Sequence, residues 1–138
     1  MPADQGRSGQ KPQQPRVLVV EDEFVILLSL RVQLEAIGCE VVGSARDADT
    51  AVEQARSLQP DIILMDIGLP KKDGAEAARE IMAERWTRII IVTAYGDERV
   101  DEAVRAGACV VLTKPIVQEQ LARAIEQAQN TTPGSVPG

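Results

Sequence analysis

Short apolar runs that alternate with helical patterns place the tightest limit on what this chain can fold into. The runs are rich in β-branched residues, and each is followed by polar or turn residues; they span residues 17–20, 62–65, 89–92 and 110–112. Runs of this length and composition are typical of strands that are buried on both faces of a parallel sheet. Because the connections between strands and helices are short, the pattern predicts right-handed βαβ crossovers with helices on both faces.

The full pattern predicts five strands and five helices in strict alternation. The strands are expected at 16–20, at 40–42 or slightly longer, and at 62–65, 89–93 and 110–113. The helices are expected at about 24–37, 48–58, after Gly74 to near Glu84, 97–107 and 118–129. Asp47 is the predicted N-cap of the second helix, and Gly38 and Gly107 are predicted to end the first and fourth. The expected fold is a doubly wound five-stranded parallel α/β sheet of flavodoxin-like order 2-1-3-4-5, which makes strands one and three neighbours at the switch point.

The two ends differ from this core in composition. Residues 1–15 are polar and rich in Gln, Pro and Gly, so we interpret them as a disordered leader. Residues 16–129 form the predicted domain, and residues 130–138 are expected to be a flexible tail or the stub of a linker.

Composition argues against several classes of function. The net charge of −6 disfavours a surface that binds nucleic acid directly, and one Phe, one Tyr and one Trp offer little for base stacking. The absence of histidine excludes a histidine base, ligand or phosphodonor within this sequence. Cys39 and Cys109 lack CxxC spacing and are expected to be reduced in a cytoplasmic protein. No apolar run is long enough for a membrane span.

Acidic residues follow two of the predicted strands. Glu21 and Asp22 come directly after the first strand, and Asp66 ends the third. Because functional groups gather at the carboxyl ends of parallel strands, these three carboxylates are expected at one edge. They would repel one another unless a cation holds them, and oxygen ligands of this kind suit Mg²⁺.

A hydroxyl and an ammonium group are expected at the same edge. Thr93 ends the fourth strand, and Lys114 follows the fifth. An aspartate can accept a phosphoryl group as an aspartyl phosphate. Mg²⁺, the hydroxyl and the ammonium could then screen or bind the phosphoryl oxygens.

The constellation resembles the receiver domain of two-component response regulators over roughly residues 16–129. The motifs that carry the resemblance are Glu21-Asp22, the stretch 65–70 with Asp73-Gly74, Thr93-Ala94 and Lys114-Pro115. The short sequence segments 66–70, 77–81 and 93–95 are similar to those of receivers in ANTAR-type regulators.

The resemblance implies a role for each residue. Asp66 would be the phosphoacceptor, and Thr93 and Lys114 would contact the phosphoryl group. Mg²⁺ would be held by Glu21, Asp22, Asp66 and the backbone carbonyl of Gly68. The resemblance also implies a cis Lys114–Pro115 bond and a partner that is a sensor histidine kinase or a histidine phosphotransfer protein.

The same residues have plainer explanations when each is taken singly. The acidic residues after strand one could be first-turn acids favoured by the helix dipole, Thr93 could be a cap, and Lys114 could be a solvated loop lysine. Two further classes of function stay open: a receiver fold used for docking without phosphorylation, and a hydrolase with an aspartyl nucleophile. The presence of all the acidic and basic site residues argues against a docking module that is not phosphorylated. A hydrolase would want a second catalytic acid just beyond Asp66, and Ile67-Gly68 supplies none.

Helix one carries more apolar residues than one core face can bury. Ile26, Leu30, Leu34 and Ile37 form the predicted core stripe. The surplus is either a partly covered shoulder or a docking face for the phosphodonor, or for a second copy in a homodimer. We expect substantial exposure of at least one surplus residue among Phe24, Leu27 and Leu28.

Two positions depart from the family pattern. The residue three before Lys114, often aromatic in receivers, is Val111, which has too little surface to report phosphorylation by turning inward. Tyr95 is the candidate to cover the site instead, and Gly68 leaves the phosphoryl group without a covering side chain at that position.

Overall fold

A computed structural model describes residues 14–133, which contain ten regular elements. The strands are β1 Arg16–Val20, β2 Glu40–Ala45, β3 Ile62–Asp66, β4 Arg88–Thr93 and β5 Val110–Thr113. The helices are α1 Phe24–Ala36, α2 Ala48–Leu58, α3 Gly74–Glu84, α4 Arg99–Arg105 and α5 Gln118–Gln129. The predicted leader and tail fall largely at residues 1–13 and 134–138, outside the described part of the chain.

The strands form one parallel sheet in the order β2-β1-β3-β4-β5, so the predicted fold and strand order are confirmed. Val20 of β1 pairs with Met65 of β3, and Asp66 pairs with Val92 of β4. This register brings the ends of β1, β3 and β4 to one edge of the sheet.

Two apolar layers cover the two faces of the sheet. The layer under α1 and α5 contains Val17, Val19, Leu64 and Ile90, together with Leu121 of α5. The layer under α2, α3 and α4 is built largely from alanines and the other side chains of the same strands. Successive side chains along each strand therefore point into opposite apolar layers, as a doubly wound fold requires.

Local signals account for most of the element boundaries. Asp47 accepts a hydrogen bond from Thr50 N at 2.8 Å, as expected of the α2 N-cap. Asp73 and Glu76 form a capping box that starts α3, and Gly38 ends α1 with φ +95°. β2 takes the longer of its expected forms and continues to Ala45. One element differs from expectation: α4 is a short helix that begins at Arg99 rather than near Asp97.

The core face of α1 also differs from the predicted stripe. Leu27, Leu30 and Leu34 are buried, whereas Ile26 and Ile37 are partly buried at the margin of the layer. The helix is apolar nearly all round at its start, so spacing alone did not fix its rotation, and packing against β1 and α5 selected Leu27.

Candidate functional site

The acidic edge is built from two strand ends. Glu21 follows β1 with none of its surface exposed, and its backbone N–H donates to the carbonyl of Ala45 at 3.0 Å. Asp66 ends β3 and is 5% exposed. Carboxylate oxygens of Glu21, Asp22 and Asp66 all lie within 4.8 Å of one another.

Lys114 lies opposite these carboxylates. Its ammonium nitrogen is 3.4 Å from Glu21 Oε1 and 3.5 Å from Asp66 Oδ2. The backbone N–H of Lys114 donates to the carbonyl of Thr93 at 2.8 Å, and the Lys114–Pro115 bond is cis, as the resemblance implied. One cation thus faces two acids at distances where charge attraction is strong.

The electrostatics follow from this crowding. Burial, and then the charge of Asp66, raise the pKa of Glu21 from its ordinary value of 4.5 to about 7. Burial lowers the pKa of Lys114, but the charges of Asp66 and Glu21 outweigh it and leave the pKa raised. The site is therefore richer in negative charge than one lysine can balance.

The remaining predicted residues lie at the same edge or next to it. Thr93 is 3% exposed and its hydroxyl donates to the carbonyl of Ala94 at 2.9 Å. The N–H of Gly68 donates to Asp66 Oδ1 at 3.0 Å, which fixes one rotamer of that carboxylate. Tyr95 is 94% exposed, so the expectation that it covers the site is wrong; its turn directs the side chain into solvent.

Three residues to which the sequence analysis gave no role in the site also shape it. Arg46 donates from Nε and Nη2 to the carbonyl of Asp22, at 3.2 and 2.8 Å, and so holds the acidic loop against β2.

Gly74 allows α3 to approach β3, because a Cβ there would lie 2.4 Å from the carbonyl oxygen of Asp66. The guanidinium of Arg99 lies beside Gly68. Gly74 follows Asp73 in the quoted motif, whereas nothing local marked either arginine.

The site combines five features: the edge of a parallel α/β sheet, an acidic triad, a buried threonine, a lysine and a cis proline. They define the class of doubly wound α/β domains that carry an acidic site at the carboxyl ends of their strands. A family model for the response regulator receiver domain matches residues 17–126. The chain belongs to this family. Receiver domains and their CheY-like relatives are signalling proteins of two-component systems and not classical enzymes, whatever domain a receiver is fused to.

Individual relatives agree with the family. The transcriptional regulatory protein PdtaR of Mycobacterium tuberculosis is 41% identical over 114 residues, which are 82% of this chain and 56% of PdtaR. PdtaR is an ANTAR-type regulator, so the noted similarity to receivers of that type is confirmed. The chemotaxis protein CheY of Thermotoga maritima is 35% identical over 81% of this chain and 95% of its own length.

A solved structure supports the same assignment. The response regulator domain of Thermotoga maritima CheB superposes with a TM-score of 0.73 at 38% identity, covering 88% of this chain and all of that one. This chain spans a little over half the length of the PdtaR relatives. Among the described residues, no helix is long and apolar enough to cross a membrane.

Proposed function

We propose that Asp66 accepts a phosphoryl group from a phosphohistidine of a sensor histidine kinase or a histidine phosphotransfer protein, in a reaction that requires Mg²⁺. The observation that carries this proposal is the convergence of the Lys114 ammonium and the Glu21 and Asp22 carboxylates on Asp66. Transfer of a phosphoryl group requires positive charge around its oxygens, which the lysine supplies on one side and a metal ion bound by the carboxylates would supply on the other.

The donor set fits a hard divalent cation. Glu21, Asp22 and Asp66 offer carboxylate oxygens within one 4.8 Å cluster, and Glu21 Oε1 is buried without a hydrogen-bond donor in good geometry. The backbone carbonyl of Gly68 is the fourth proposed ligand. Mg²⁺ bound there would neutralise the acidic cluster and the phosphoryl oxygens.

The transfer is a displacement at phosphorus. A carboxylate oxygen of Asp66 attacks, the new O–P bond forms, and the N–P bond of the phosphohistidine breaks with its electron pair going to the imidazole. Lys114 stays close enough to pair with a phosphoryl oxygen, and Thr93 supplies a hydroxyl once its bond to the Ala94 carbonyl is released. Slow hydrolysis by water would later regenerate the Asp66 carboxylate and release inorganic phosphate.

The phosphohistidine must lie outside these 138 residues, since this sequence contains no histidine. The two cysteines are both buried free thiols, which supports a reducing compartment, and we place the protein in the cytoplasm. The role is signalling, in which phosphorylation at Asp66 changes what the domain binds.

We assign the docking face of the phosphodonor to α1. Phe24, Val25, Leu28 and Val32 are exposed apolar residues on this helix, at 55%, 78%, 43% and 65%. The expectation of exposure is met by Phe24 and Leu28, whereas Leu27 is 4% exposed and belongs to the core. Since α1 starts three residues after Glu21, a helical partner on this face would present its histidine near Asp66, and a second copy of the chain could use the same face.

The test is phosphorylation by a small-molecule phosphodonor. With Mg²⁺, the wild-type protein should gain one phosphoryl group, detected as a mass increase, and Asp66→Asn should gain none. EDTA should suppress the reaction in the wild type. Full labelling of Asp66→Asn would refute the assignment, and an unreactive wild type would favour a docking module that works without phosphorylation.

A further inference from the structure

Arg99 is held close to the acidic edge by its own loop. Its Nε and Nη2 donate to Asp97 Oδ1 and Oδ2 at 2.9 and 2.7 Å, and its backbone N–H also donates to Oδ1 at 2.9 Å. Asp97 is itself largely covered, with 14% of its side chain exposed. This two-point pairing orients the planar guanidinium and still leaves N–H donors for a further acceptor.

Gly68 leaves an opening between this guanidinium and the phosphoacceptor. A Cβ at position 68 would lie 3.7 Å from Arg99 Nη2 and 3.7 Å from Asp66 Oδ1. Arg99 Nη2 and Asp66 Oδ1 are therefore separated by no more than twice this distance, and residue 68 places no side chain between them. A phosphoryl group bound to Asp66 would extend into this gap and bring its oxygens closer to the guanidinium.

Charge favours the same approach. The pairing with Asp97, and then the charges of Asp73 and Asp66, raise the pKa of Arg99, so the guanidinium already experiences the negative field of the site. Phosphorylation increases the negative charge on Asp66, and three phosphoryl oxygens become available as acceptors. Lys114 and Thr93 lie at the ends of β5 and β4, whereas Arg99 lies on the Gly68 side.

We propose that Arg99 is an additional phosphoryl-binding residue, which reaches across the opening left by Gly68 to an oxygen of the group on Asp66. Asp97 is its positioning residue. The inference rests on the proposed function, because it concerns the phosphorylated form of that site. The absence of a side chain at residue 68 then gives a cation access to the phosphoryl group.

The test uses beryllofluoride, which forms a tetrahedral phosphoryl mimic on a carboxylate. Its affinity is measured by calorimetry with saturating Mg²⁺ for the wild type, Arg99→Met and Arg105→Met. Arg105 is the matched control, because it is an exposed arginine on the same helix. Arg99→Met should weaken beryllofluoride binding by about threefold to tenfold, the range for one partly exposed charge-assisted hydrogen bond, and Arg105→Met should not.

Mg²⁺ binding without beryllofluoride separates this effect from damage to the site. Removing a nearby positive charge should leave Mg²⁺ affinity unchanged or raise it, so Arg99→Met should affect the two ligands differently. Parallel loss of both, equal weakening in Arg105→Met, or unchanged beryllofluoride affinity in Arg99→Met would overturn the inference while leaving the role of Asp66 intact. Failure of the wild type to bind beryllofluoride would instead refute the proposed function.

Discussion

Glu21 is a fully buried carboxyl group, and its environment determines how readily it ionises. Its Oε2 accepts a hydrogen bond from the N–H of Glu23 at 3.1 Å, and Oε1 lies 3.4 Å from the ammonium of Lys114. The negative charge of Asp66 acts on the same carboxyl group. A buried carboxylate with so little compensation is costly to ionise. The pKa of Glu21, raised to about 7, expresses that cost, and the proposed cation would remove it.

A pH dependence of stability follows for the metal-free protein. Between the unfolded pKa of Glu21, near 4.5, and its folded pKa, about 7, the folded state binds more protons than the unfolded state. The Glu21 contribution to the free energy of unfolding is therefore favourable below pH 4.5 and is lost as the pH rises through 7. In EDTA, the stability of the wild type relative to Glu21→Gln should fall between pH 5 and pH 8, as measured by urea unfolding.

The glutamine variant isolates this contribution, because its amide does not titrate while every other group does. Saturating Mg²⁺ should reduce the fall, since the cation stabilises the ionised carboxylate. A difference between wild type and Glu21→Gln that stays constant across this pH range would contradict the account.

At the scale of elements, the contact of α3 with β3 depends on Gly74. A Cβ at this position would meet the Asp66 carbonyl oxygen at 2.4 Å and Ile67 Cα at 2.7 Å, and both are backbone atoms that cannot turn aside. Gly74→Ala should therefore lower the free energy of unfolding by about 1–3 kcal/mol, the usual cost of overpacking. Urea unfolding measures the change.

Gly68→Ala is the matched control for Gly74→Ala. Its Cβ would make contacts at 3.7 Å, which is ordinary packing distance, so its stability should change by less than about 1 kcal/mol. Equal losses in the two variants would mean that glycine at these positions matters for backbone conformation and not for close approach.

The exposed face of α1 gives a prediction about partner specificity. Leu28→Lys should slow phosphotransfer from phosphorylated histidine kinases while leaving phosphorylation by a small-molecule donor unchanged, because the side chain is 43% exposed and is not part of the acidic cluster. Val117→Lys is the control, since Val117 is 48% exposed outside α1. Leu27→Lys should instead destabilise the fold, by about 2–5 kcal/mol for a disrupted buried leucine.

Single-turnover transfer from each kinase that phosphorylates the wild type provides the measurement. Equal slowing with both kinds of donor in Leu28→Lys would show that the helix is merely structural. Equal slowing in Val117→Lys would show that added positive charge, and not α1, is responsible.

At the scale of the whole molecule, Lys114 joins three strands of the sheet through one side chain. It follows β5, and its ammonium faces Glu21 after β1 and Asp66 at the end of β3. Phosphorylation would draw this lysine to a phosphoryl oxygen and so change its ion pairs with Glu21 and Asp66, which connect the end of β5 to β1 and β3. We expect Lys114→Ala to accept a phosphoryl group from a small-molecule donor but to lose the response beyond the site.

Hydrogen exchange can measure that response. Wild-type protein should change its amide protection at β5 and α5 when phosphorylated, and Lys114→Ala should not. Complete loss of labelling in Lys114→Ala would show that the lysine is needed for the transfer itself.

The sequence by itself determined the fold class, the strand order and the identity of the residues at the acidic edge. The reason is that strands buried on both faces and short βα connections are local patterns, and a parallel sheet necessarily gathers its strand ends at one edge. Asp66, Glu21 and Lys114 could be predicted because each stands next to an apolar run.

Tertiary structure alone decided the rotation of α1, the exposure of Tyr95 and the position of Arg99. A helix that is apolar nearly all round has no preferred buried face until β1 and α5 pack against it, which is how Leu27 replaced Ile26 in the core. Arg99 is brought to Gly68 by the turn around Gly96 and by its pairing with Asp97, which join groups thirty-one positions apart in sequence. Contacts of that range depend on the packing of the folded chain, and no local pattern encodes them.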